Sequence, residues 1–560
     1  ANSTTATGTE RMVIDNSGNV GIGASPQTGF TQNLTIEGTS PALVLRDSTS
    51  SNQATQFYTI FTSNANVKHY FDHAGSLSFA TTTDVIGNGE AIRFKIDDNS
   101  RISLSNNDSG TSNTVFGYEA GNLIGSGDNY NVFIGHQVAD ADMTDAIQNV
   151  GIGYQSLTSL TTGVSNTAVG SGSLYNLTTG NYNIAMGHLS SDAITTAQYS
   201  VAIGYGSLGA EVTRGTSVAI GFEALGLQTH ASDAANSENV GIGFQAGLRN
   251  VTGKSNTSIG FEAMKGATGQ SNSSNVAIGR KAMLVISTGS ENVAIGKDSM
   301  YDANTATGVV AVGTESAYNI TSGSESVAVG KQALYTATTT GANTAVGYQA
   351  LKLNTAASNT AVGHSALLNN STGSGNTAVG SSSADAITTG GNNTAVGAGS
   401  LGTMDDGADN TALGAYAMSG NVGTSNTAVG SQAMTDSTGN YNTAIGMQAL
   451  FDCVGGGSNT VLGALAMKFA NAGESENVAI GVEAMTDVLE GTNSRTADNN
   501  IAIGSRALKG GVLAASQDLT HNVAIGYQAF DSTGVYGQLG TVAIGSQALG
   551  AVTYGSANTA

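Results

Sequence analysis

The chain lacks most of what a compact enzyme carries. Its 560 residues include no tryptophan, two prolines and a single cysteine, Cys453, which cannot form a disulfide within the chain. No run of about 18 apolar residues is present, so the sequence predicts no membrane insertion. Basic residues are scarce: 19 Lys and Arg stand against 40 Asp and Glu, a formal charge of −21. That charge disfavours nucleic acid as a partner because phosphate backbones would be repelled.

What the chain has in abundance is one short repeat. Asn-(Thr/Val)-Ala-(Val/Ile) followed by Gly recurs 25 times between residues 113 and 545, mostly 16 to 18 residues apart. This spacing excludes helical-pair repeats, which need about 33 residues or more. So short a unit cannot close a core alone, whereas stacked units bury a continuous one. The repeat therefore predicts an all-β fold, a parallel β-solenoid (β-roll) of about 25 short coils.

Three positions of the repeat define its strand. The residue before each glycine, the pre-glycine column, is Val, Ile, Leu, Met or Phe in all 25 units, and the residue two places earlier, the β-branched column, is always Thr, Val or Ile. Between them lies the alanine column, which is Ala in 19 units. Because strand side chains alternate between faces, the two bulky columns share one face and Ala and Gly share the other. We predict that the bulky face is buried. The predicted buried column includes Val169, Ile203, Ile220, Ile295, Val346, Val362 and Val379, and the repeat glycines include Gly170, Gly204, Gly347, Gly363 and Gly380.

The asparagine column opens the unit, four residues before the glycine, and holds Asn in 20 of 25 copies. We predict a stacked, hydrogen-bonded asparagine ladder. The alternative is that Asn serves only as a turn former. The ladder would include Asn166, Asn183, Asn256, Asn343, Asn359, Asn376, Asn426 and Asn442.

Beyond the glycine, two variable positions indicate solvent exposure. They are followed by Ala or Ser in 24 units and then by Leu or Met in 18, the leucine column. We predict a second, shorter buried strand there. We expect such a thin stack to be only marginally stable as a single chain. Ordering its backbone costs more conformational entropy than the burial of its few apolar side chains offsets. Several chains, preferably three, are therefore expected to share the small Ala/Gly face.

Residues 1–105 lack the repeat and predict a separate N-terminal β domain, a sandwich or a prism. Alternating apolar residues indicate strands at 12–15, 34–37, 43–45, 57–62, 67–71, 77–80 and 91–96. The repeat shaft occupies 106–560, and Ser556–Ala560 begins a unit that stops before its glycine. We therefore expect the natural chain to continue.

No constellation for chemistry is evident. The histidines His69, His73, His136, His188, His230, His364 and His521 are interpreted as scattered over different repeat positions. The acids at 140, 142 and 145 lack the Gly and Glu of a calcium loop. We predict no enzyme activity, no catalytic residues, no metal and no cofactor.

Three long units, of 22 or 23 residues, predict outward loops at 229–238, 489–498 and 512–521. His230, Arg495 and His521 are their candidate receptor-contact residues. Tolerated surface insertion is the competing explanation.

The repeat resembles the head of trimeric autotransporter adhesins, as at Ser200–Gly204 and Ser217–Gly221. That resemblance implies a left-handed parallel β-roll shared by three chains. The longer unit Asn343–Leu351 is similar to the shafts of phage tail fibres, which often follow a segment like Glu10–Gly23. The similarity covers nearly the whole chain and is specific for fold rather than function.

The leading hypothesis is a structural protein, the elongated shaft of a phage tail fibre that positions host-cell attachment. Its expected partners are further copies of itself in a homotrimer, other virion tail proteins and a host-surface glycan or protein. The expected location is the virion, outside the cell. The alternative is the passenger region of a bacterial trimeric surface adhesin, at the bacterial cell surface. A polysaccharide-cleaving tailspike is a third possibility, but it would need clustered carboxylates in a groove.

Overall fold

The computed structural model divides the chain into two compact units, Ala1–Ser103 and Leu104–Ala560. It describes the strands of the first unit as backbone, and residues 112–213, 215–229, 237–267, 271–420, 423–470, 473–487, 497–510, 518–531, 538–550 and 557–560 of the second. Every helix or strand within these residues is a β-strand, as the repeat predicts.

The first unit contains two small sheets. The strands are β1 (Val13–Ile14), β2 (Val20–Ile22), β3 (Leu34–Ile36), β4 (Asn66–Phe71), β5 (Leu77–Thr82), β6 (Ala91–Ile96) and β7 (Ile102–Ser103). β1 to β3 form one sheet, and β4 to β7 form an antiparallel sheet with a bulge in the β5–β6 pairing. The strands expected at 43–45 and 57–62 lie outside the described residues, and a sandwich or prism remains a prediction.

The second unit is a parallel β-solenoid, which confirms the predicted fold class. Its main sheet has 25 strands of three residues each. They are β8 (Thr114–Phe116), β9 (Val132–Ile134), β10 (Val150–Ile152), β11 (Thr167–Val169), β12 (Ile184–Met186), β13 (Val201–Ile203), β14 (Val218–Ile220), β15 (Val240–Ile242), β16 (Thr257–Ile259), β17 (Val276–Ile278), β18 (Val293–Ile295), β19 (Val310–Val312), β20 (Val327–Val329), β21 (Thr344–Val346), β22 (Thr360–Val362), β23 (Thr377–Val379), β24 (Thr394–Val396), β25 (Thr411–Leu413), β26 (Thr427–Val429), β27 (Thr443–Ile445), β29 (Thr460–Leu462), β31 (Val478–Ile480), β32 (Ile501–Ile503), β34 (Val523–Ile525) and β36 (Val542–Ile544).

The strands stack in perfect register. Each pairs in parallel with its counterpart in the previous and the next coil, so that Thr344, for example, lies opposite Thr360. Two short pairs flank the main sheet: β28 (Asp452–Cys453) with β30 (Phe469–Ala470), and β33 (Leu519–Thr520) with β35 (Gln538–Leu539). At roughly 4.8 Å per step, the 24 steps of the main sheet span on the order of 115 Å.

Long units do not disturb this register. Val218 pairs with Val240 across the longer unit between them, and Val478 pairs with Ile501. The added residues therefore leave the stacked strands untouched.

The predicted second strand is absent from the described residues, and its place is taken by a curled segment. Gln349 and Leu351, the second and fourth residues after Gly347, have φ angles of 56° and 51°. Their N–H groups still bond to neighbouring coils, Gln349 to the Lys331 carbonyl at 3.0 Å and Leu351 to the Ala366 carbonyl at 3.0 Å. Left-handed residues at alternate positions turn the segment while the ladder continues.

The predicted burial of the strand faces is wrong, because the strand is inverted. Ala345, Ala361 and Ala378 of the alanine column are fully buried, together with the leucine column. The pre-glycine column points outward: Val362 and Val379 are 37% exposed, and Ile295 is 38% exposed. The other members named above, Val169, Ile203, Ile220 and Val346, are only partly buried. The interior is narrow, and in most coils it already holds Leu or Met from the curled segment, which favours a small strand residue opposite. Phe133 is fully buried in the coil whose leucine column holds Ala139.

The alanine face is consequently not a free surface for a neighbouring chain. It lies within the coil and contributes to the core along the stack. The repeat glycines serve the corner instead. Gly380 has a φ of 142°, and a Cβ there would lie 2.6 Å from the carbonyl oxygen of Gly397 in the next coil. The other predicted repeat glycines, Gly170, Gly204, Gly347 and Gly363, have φ angles of 132° to 142°.

Candidate functional site: the outward faces of the coils

The asparagine column forms a buried ladder that fixes the coil geometry. The N–H and Nδ2 of Asn393 both donate to Asn376 Oδ1, at 2.9 and 3.1 Å, and Nδ2 also donates to the Gly407 carbonyl at 2.8 Å. One side chain thus links neighbouring coils and braces its own. The residue before each asparagine has the left-handed φ, as at Ser165 and Tyr182, so the asparagines are not themselves the turn residues. The eight asparagines named above are all buried.

A different polar cluster replaces the ladder where serine interrupts it. Ser217 stands in the asparagine column, and its hydroxyl bonds to Ser237 Oγ at 3.0 Å. Gln228 Nε2 donates to Ser217 Oγ at 3.1 Å and to Glu211 Oε2 at 2.7 Å, while Asn239 Nδ2 donates to Gln228 Oε1 at 2.9 Å. All five side chains are buried. The sequence signal was a Glu and a Gln seven residues after Gly204 and Gly221, in a column that holds Leu in preceding coils, as at Leu160 and Leu177.

The outward strand face is a continuous apolar surface. The pre-glycine column is apolar in every coil, and the β-branched column beside it is Thr, Val or Ile. A Val or Ile side chain carries on the order of 100 Å² of apolar area, so a third of it exposed in each of 25 coils gives several hundred Å². Monomeric proteins seldom expose a contiguous apolar patch larger than about 300 to 600 Å². This face therefore has the character of an interface.

Stacked aromatic side chains occupy the post-glycine column, the position directly after each repeat glycine. The rings of Tyr205, Phe222, Phe244 and Phe261 are stacked in succession, with centroids 5.1, 5.1 and 5.2 Å apart. His188 extends the stack at 5.5 Å from Tyr205. These rings point outward and are partly exposed, Phe222 and Phe244 at 40%. Parallel register places equivalent side chains about one strand spacing apart, which favours ring stacking.

Three histidines share that column, contrary to the expectation that they are scattered. His136, His188 and His364 each follow a repeat glycine and stack on tyrosines. The alignment on the repeat glycine already places these three histidines in one column. His521 instead occupies the exposed turn before Asn522 and donates its N–H to the Asp498 carbonyl at 3.2 Å. Of the three predicted receptor-contact residues, His230 and Arg495 lie outside the described residues.

The next position, which the sequence predicts to be variable and exposed, carries a second polar ladder. Gln349 Nε2 donates to Gln332 Oε1 at 2.8 Å, and Gln332 Nε2 donates to Glu315 Oε2 at 2.8 Å. Similar bonds join Gln155 to Gln137 and Gln448 to Gln432. These half-buried bonds add lateral support at the corner.

One segment of the stack is basic. Residues 240–300 contain six Lys and Arg against three Asp and Glu, a local excess of three positive charges in a chain of net charge −21. Glu262 lies among them, with Lys265 Nζ at 2.6 Å and Lys281 Nζ at 3.7 Å. The hydrogen bond from Lys265 holds the pKa of the Glu262 carboxyl below its usual value. An open groove of about 260 Å³ beside this pair is lined by Arg249, Glu262, Lys265, Gly266, Ala267, Leu284 and Val285.

Groups that could support catalysis are not assembled in the described part of the shaft. No cluster of three or more His, Cys, Asp or Glu suited to a metal ion occurs there. Cys453 is buried, and burial raises the pKa of its thiol to about 12, which leaves it without nucleophilic character near neutral pH. Burial also raises the pKa of the carboxyls of Asp192 and Asp385, which lie many coils apart.

Comparisons with protein-family models, with curated proteins and with solved structures find no match. In the described part of the chain, no helix has the length and apolarity needed to cross a membrane.

Proposed function

We propose that the protein is a non-enzymatic structural fibre, the shaft of a phage tail fibre that holds a host-recognition element away from the virion. The observation that carries this proposal is the unbroken register of 25 parallel strands, with a filled interior. A stack of this kind resists bending because each coil bonds to its neighbours through the backbone, and most coils do so through the asparagine ladder as well. Such a structure suits a spacer better than a catalyst, since side chains fill the interior of its described part.

The fibre would consist of three parallel chains that meet through their outward apolar faces. The sequence predicts that the chains meet through the Ala/Gly face. The proposal instead places the contact on the face formed by the pre-glycine and β-branched columns. The supporting facts are the continuous exposure of the pre-glycine column and its apolar character in every coil. If the chains run parallel and in register, equivalent coils lie at the same level along the fibre. Each apolar side chain then meets the equivalent side chain of a neighbouring chain. The number three follows from the resemblance to trimeric fibres.

Immunogold electron microscopy tests the function. Antibodies raised against the coil stack should label rods that project from the tails of intact phage particles. Labelling of a bacterial surface without any label on particles would contradict the fibre proposal and favour the adhesin alternative. Partner tail proteins would be identified by crosslinking the same particles.

Light scattering tests the assembly. The mass of the purified chain should be three times 55.9 kDa. Lysines at two adjacent outward positions, Ile203→Lys and Ile220→Lys, should reduce it to the single-chain mass because buried, unpaired charges are costly at an interface. The matched control places lysines in exposed turns of adjacent coils, Thr179→Lys and Thr196→Lys, and should keep the parental mass. A parent with the mass of one chain would disprove the trimer.

A further inference from the structure

The strongest unexplained feature of the surface is a continuous strip in the post-glycine column. It consists of Tyr205, Phe222, Phe244 and Phe261, followed in the next two coils by Arg280 and Lys297, and is called here the aromatic–basic strip. Its rings are 40 to 46% exposed, and the Arg280 and Lys297 side chains are 51% and 54% exposed. Aromatic and cationic side chains thus follow one another along one edge of the stack.

Core packing does not require these rings. The interior beneath them is filled by the alanine and leucine columns, and other coils carry Ser or Ala in the same column, as at Ser381 and Ala398. Three consecutive exposed phenylalanines incur a solubility cost, which indicates a binding role. A second ring stack, Tyr301, Tyr318 and Tyr335, lies in a different column, five residues after the repeat glycines, and is followed in the next coil by the single basic residue Lys352.

The basic end of the strip has free donor capacity. Arg280 Nη1 and Lys297 Nζ approach Asp298 at 3.5 and 3.4 Å, longer than a good hydrogen bond, and one carboxylate cannot occupy all donors of both cations. Lys265 and Lys281 flank the strip across Glu262. The strip therefore presents positive charge in a chain that is otherwise strongly acidic, and its complementary ligand is an anion.

A polymer fits the strip better than a small anion does. Ring centroids repeat about every 5 Å along the stack, so equivalent contacts recur with each coil. Sugar rings in an extended polysaccharide repeat at a comparable distance and present C–H faces that pack on aromatic rings. A neighbouring copy of the chain is disfavoured as the occupant, because in a parallel symmetric assembly the basic residues would meet their own equivalents.

We propose that the aromatic–basic strip binds an anionic cell-surface polysaccharide, with the rings against sugar faces and Arg280 and Lys297 against carboxylate or phosphate groups. Arginine and lysine are the side chains that proteins use for such groups. The inference rests on the proposed function, since it requires the shaft to be displayed outside the cell. It gives the shaft a role in surface capture, separate from any receptor at the fibre tip.

Binding of defined polymers to the immobilised full-length chain tests this inference. Polysialic acid supplies carboxylates, a poly(glycerol phosphate) teichoic acid supplies phosphates, and dextran is the neutral comparison. We expect one charged polymer to bind, to weaken as salt rises, and dextran not to bind. The charged polymer that binds identifies the source of the anion. Binding of neither, equal binding of dextran, or equal binding of single-stranded DNA would overturn the inference.

Paired variants locate the site. Arg280→Gln with Lys297→Gln should weaken binding about tenfold or more, the loss expected for one or two charge-assisted contacts. Phe244→Ala with Phe261→Ala should weaken it comparably. Arg506→Gln with Lys509→Gln removes an Arg and a Lys that share Glu483 outside the strip, and should leave binding unchanged.

Three readouts keep the interpretation clear. Circular dichroism verifies folding, and the glutamine pair remains informative if the alanine pair unfolds, since its side chains are exposed. The site would be refuted if the control pair lost as much binding as the two pairs within the strip. It would also be refuted if the phenylalanine pair changed the particle mass and left binding unchanged. Immunogold labelling of tails together with failure to bind polymer would reject this inference alone and leave the fibre function standing.

Discussion

Two stretches of the solenoid share a buried alanine column and have different exteriors. In the eight coils of β13 to β20, the β-branched column is Val in seven and Thr in one, whereas in the eight coils of β21 to β27 and β29 it is always Thr. The alanine column between is buried throughout both stretches. An inward position must fit a closed, crowded space, while an outward position can follow whatever it contacts. The two stretches therefore keep the same fold and differ in the outward residues of their strands.

The interior polar ladder differs between the stretches as well. All eight coils of the threonine stretch have Asn in the asparagine column, whereas four coils of the valine stretch have Ser200, Ser217, Val309 and Ser326 instead. Gln228 and Glu211 fill the gap next to Ser217. At Ser217 other side chains satisfy the freed groups, whereas Ser326 Oγ donates to the Ser324 backbone carbonyl at 3.1 Å.

The largest expected effect comes from the glycine corner, which both stretches share. Gly313→Ala in the valine stretch and Gly380→Ala in the threonine stretch should each destabilise their coil by about 3 kcal/mol or more. Both have φ near 140°, and the new Cβ would lie 2.6 to 2.7 Å from the next backbone. Hydrogen-exchange mass spectrometry of each coil measures the change.

Gly545→Ala is the matched control for that corner. Gly545 has a φ of 133° but no described atom closer than 3.9 Å to the new Cβ, so only the backbone term of about 1 to 2 kcal/mol remains. Equal losses at all three glycines would contradict the steric account, and unequal losses at the first two would contradict a common interior.

The asparagine ladder should give the next largest effect. Asn376→Ala removes the acceptor for Asn393 and the donor to the Gly390 carbonyl, and should cost about 2 to 3 kcal/mol because buried groups lose their partners. Asn369→Ala, whose exposed side chain bonds only to the Asp385 carbonyl, should cost less than about 0.5 kcal/mol. Local hydrogen exchange compares the two. A similar cost for both would mean that the ladder adds little.

Exchanging the outward residues of the two stretches should hardly alter a single chain. Val218→Thr and Thr377→Val both act at the partly exposed β-branched column, and each should change coil stability by about 0.5 kcal/mol or less. If this face joins chains, the first change should speed subunit exchange and the second should slow it. Exchange rates measured with fluorescently labelled chains decide this, and identical rates for parent and both variants would argue against the interface.

The smallest structural effect is expected from chemical modification of Cys453, which probes whether the native coil opens. Its burial raises the pKa to about 12, so thiolate should be nearly absent at pH 9. Iodoacetamide should therefore alkylate the native chain at least about a hundredfold more slowly than the urea-unfolded chain. Intact-mass spectrometry follows the alkylation. Equal rates for the native and the unfolded chain would mean that this coil opens readily.

The repeat made much of the fold predictable. Twenty-five strand positions, parallel stacking and the asparagine column all follow from residue types that recur at one spacing. The second strand was wrongly predicted because Ala-Leu beside variable residues suits either a strand or a curled segment with alternate positive φ. The shared column of His136, His188 and His364 is visible in the alignment on the glycine, but the stacking of their rings on tyrosines depends on the parallel register of the coils.

The sequence by itself determined that Ala378 and Val379 point to opposite sides of one strand, since successive strand side chains alternate. It did not determine which side faces inward. Only the tertiary structure decided that, because the answer depends on how much room remains when the leucine segment curls back across the coil. There the space admits a methyl group, so the alanine lies inside and the larger valine lies on the surface.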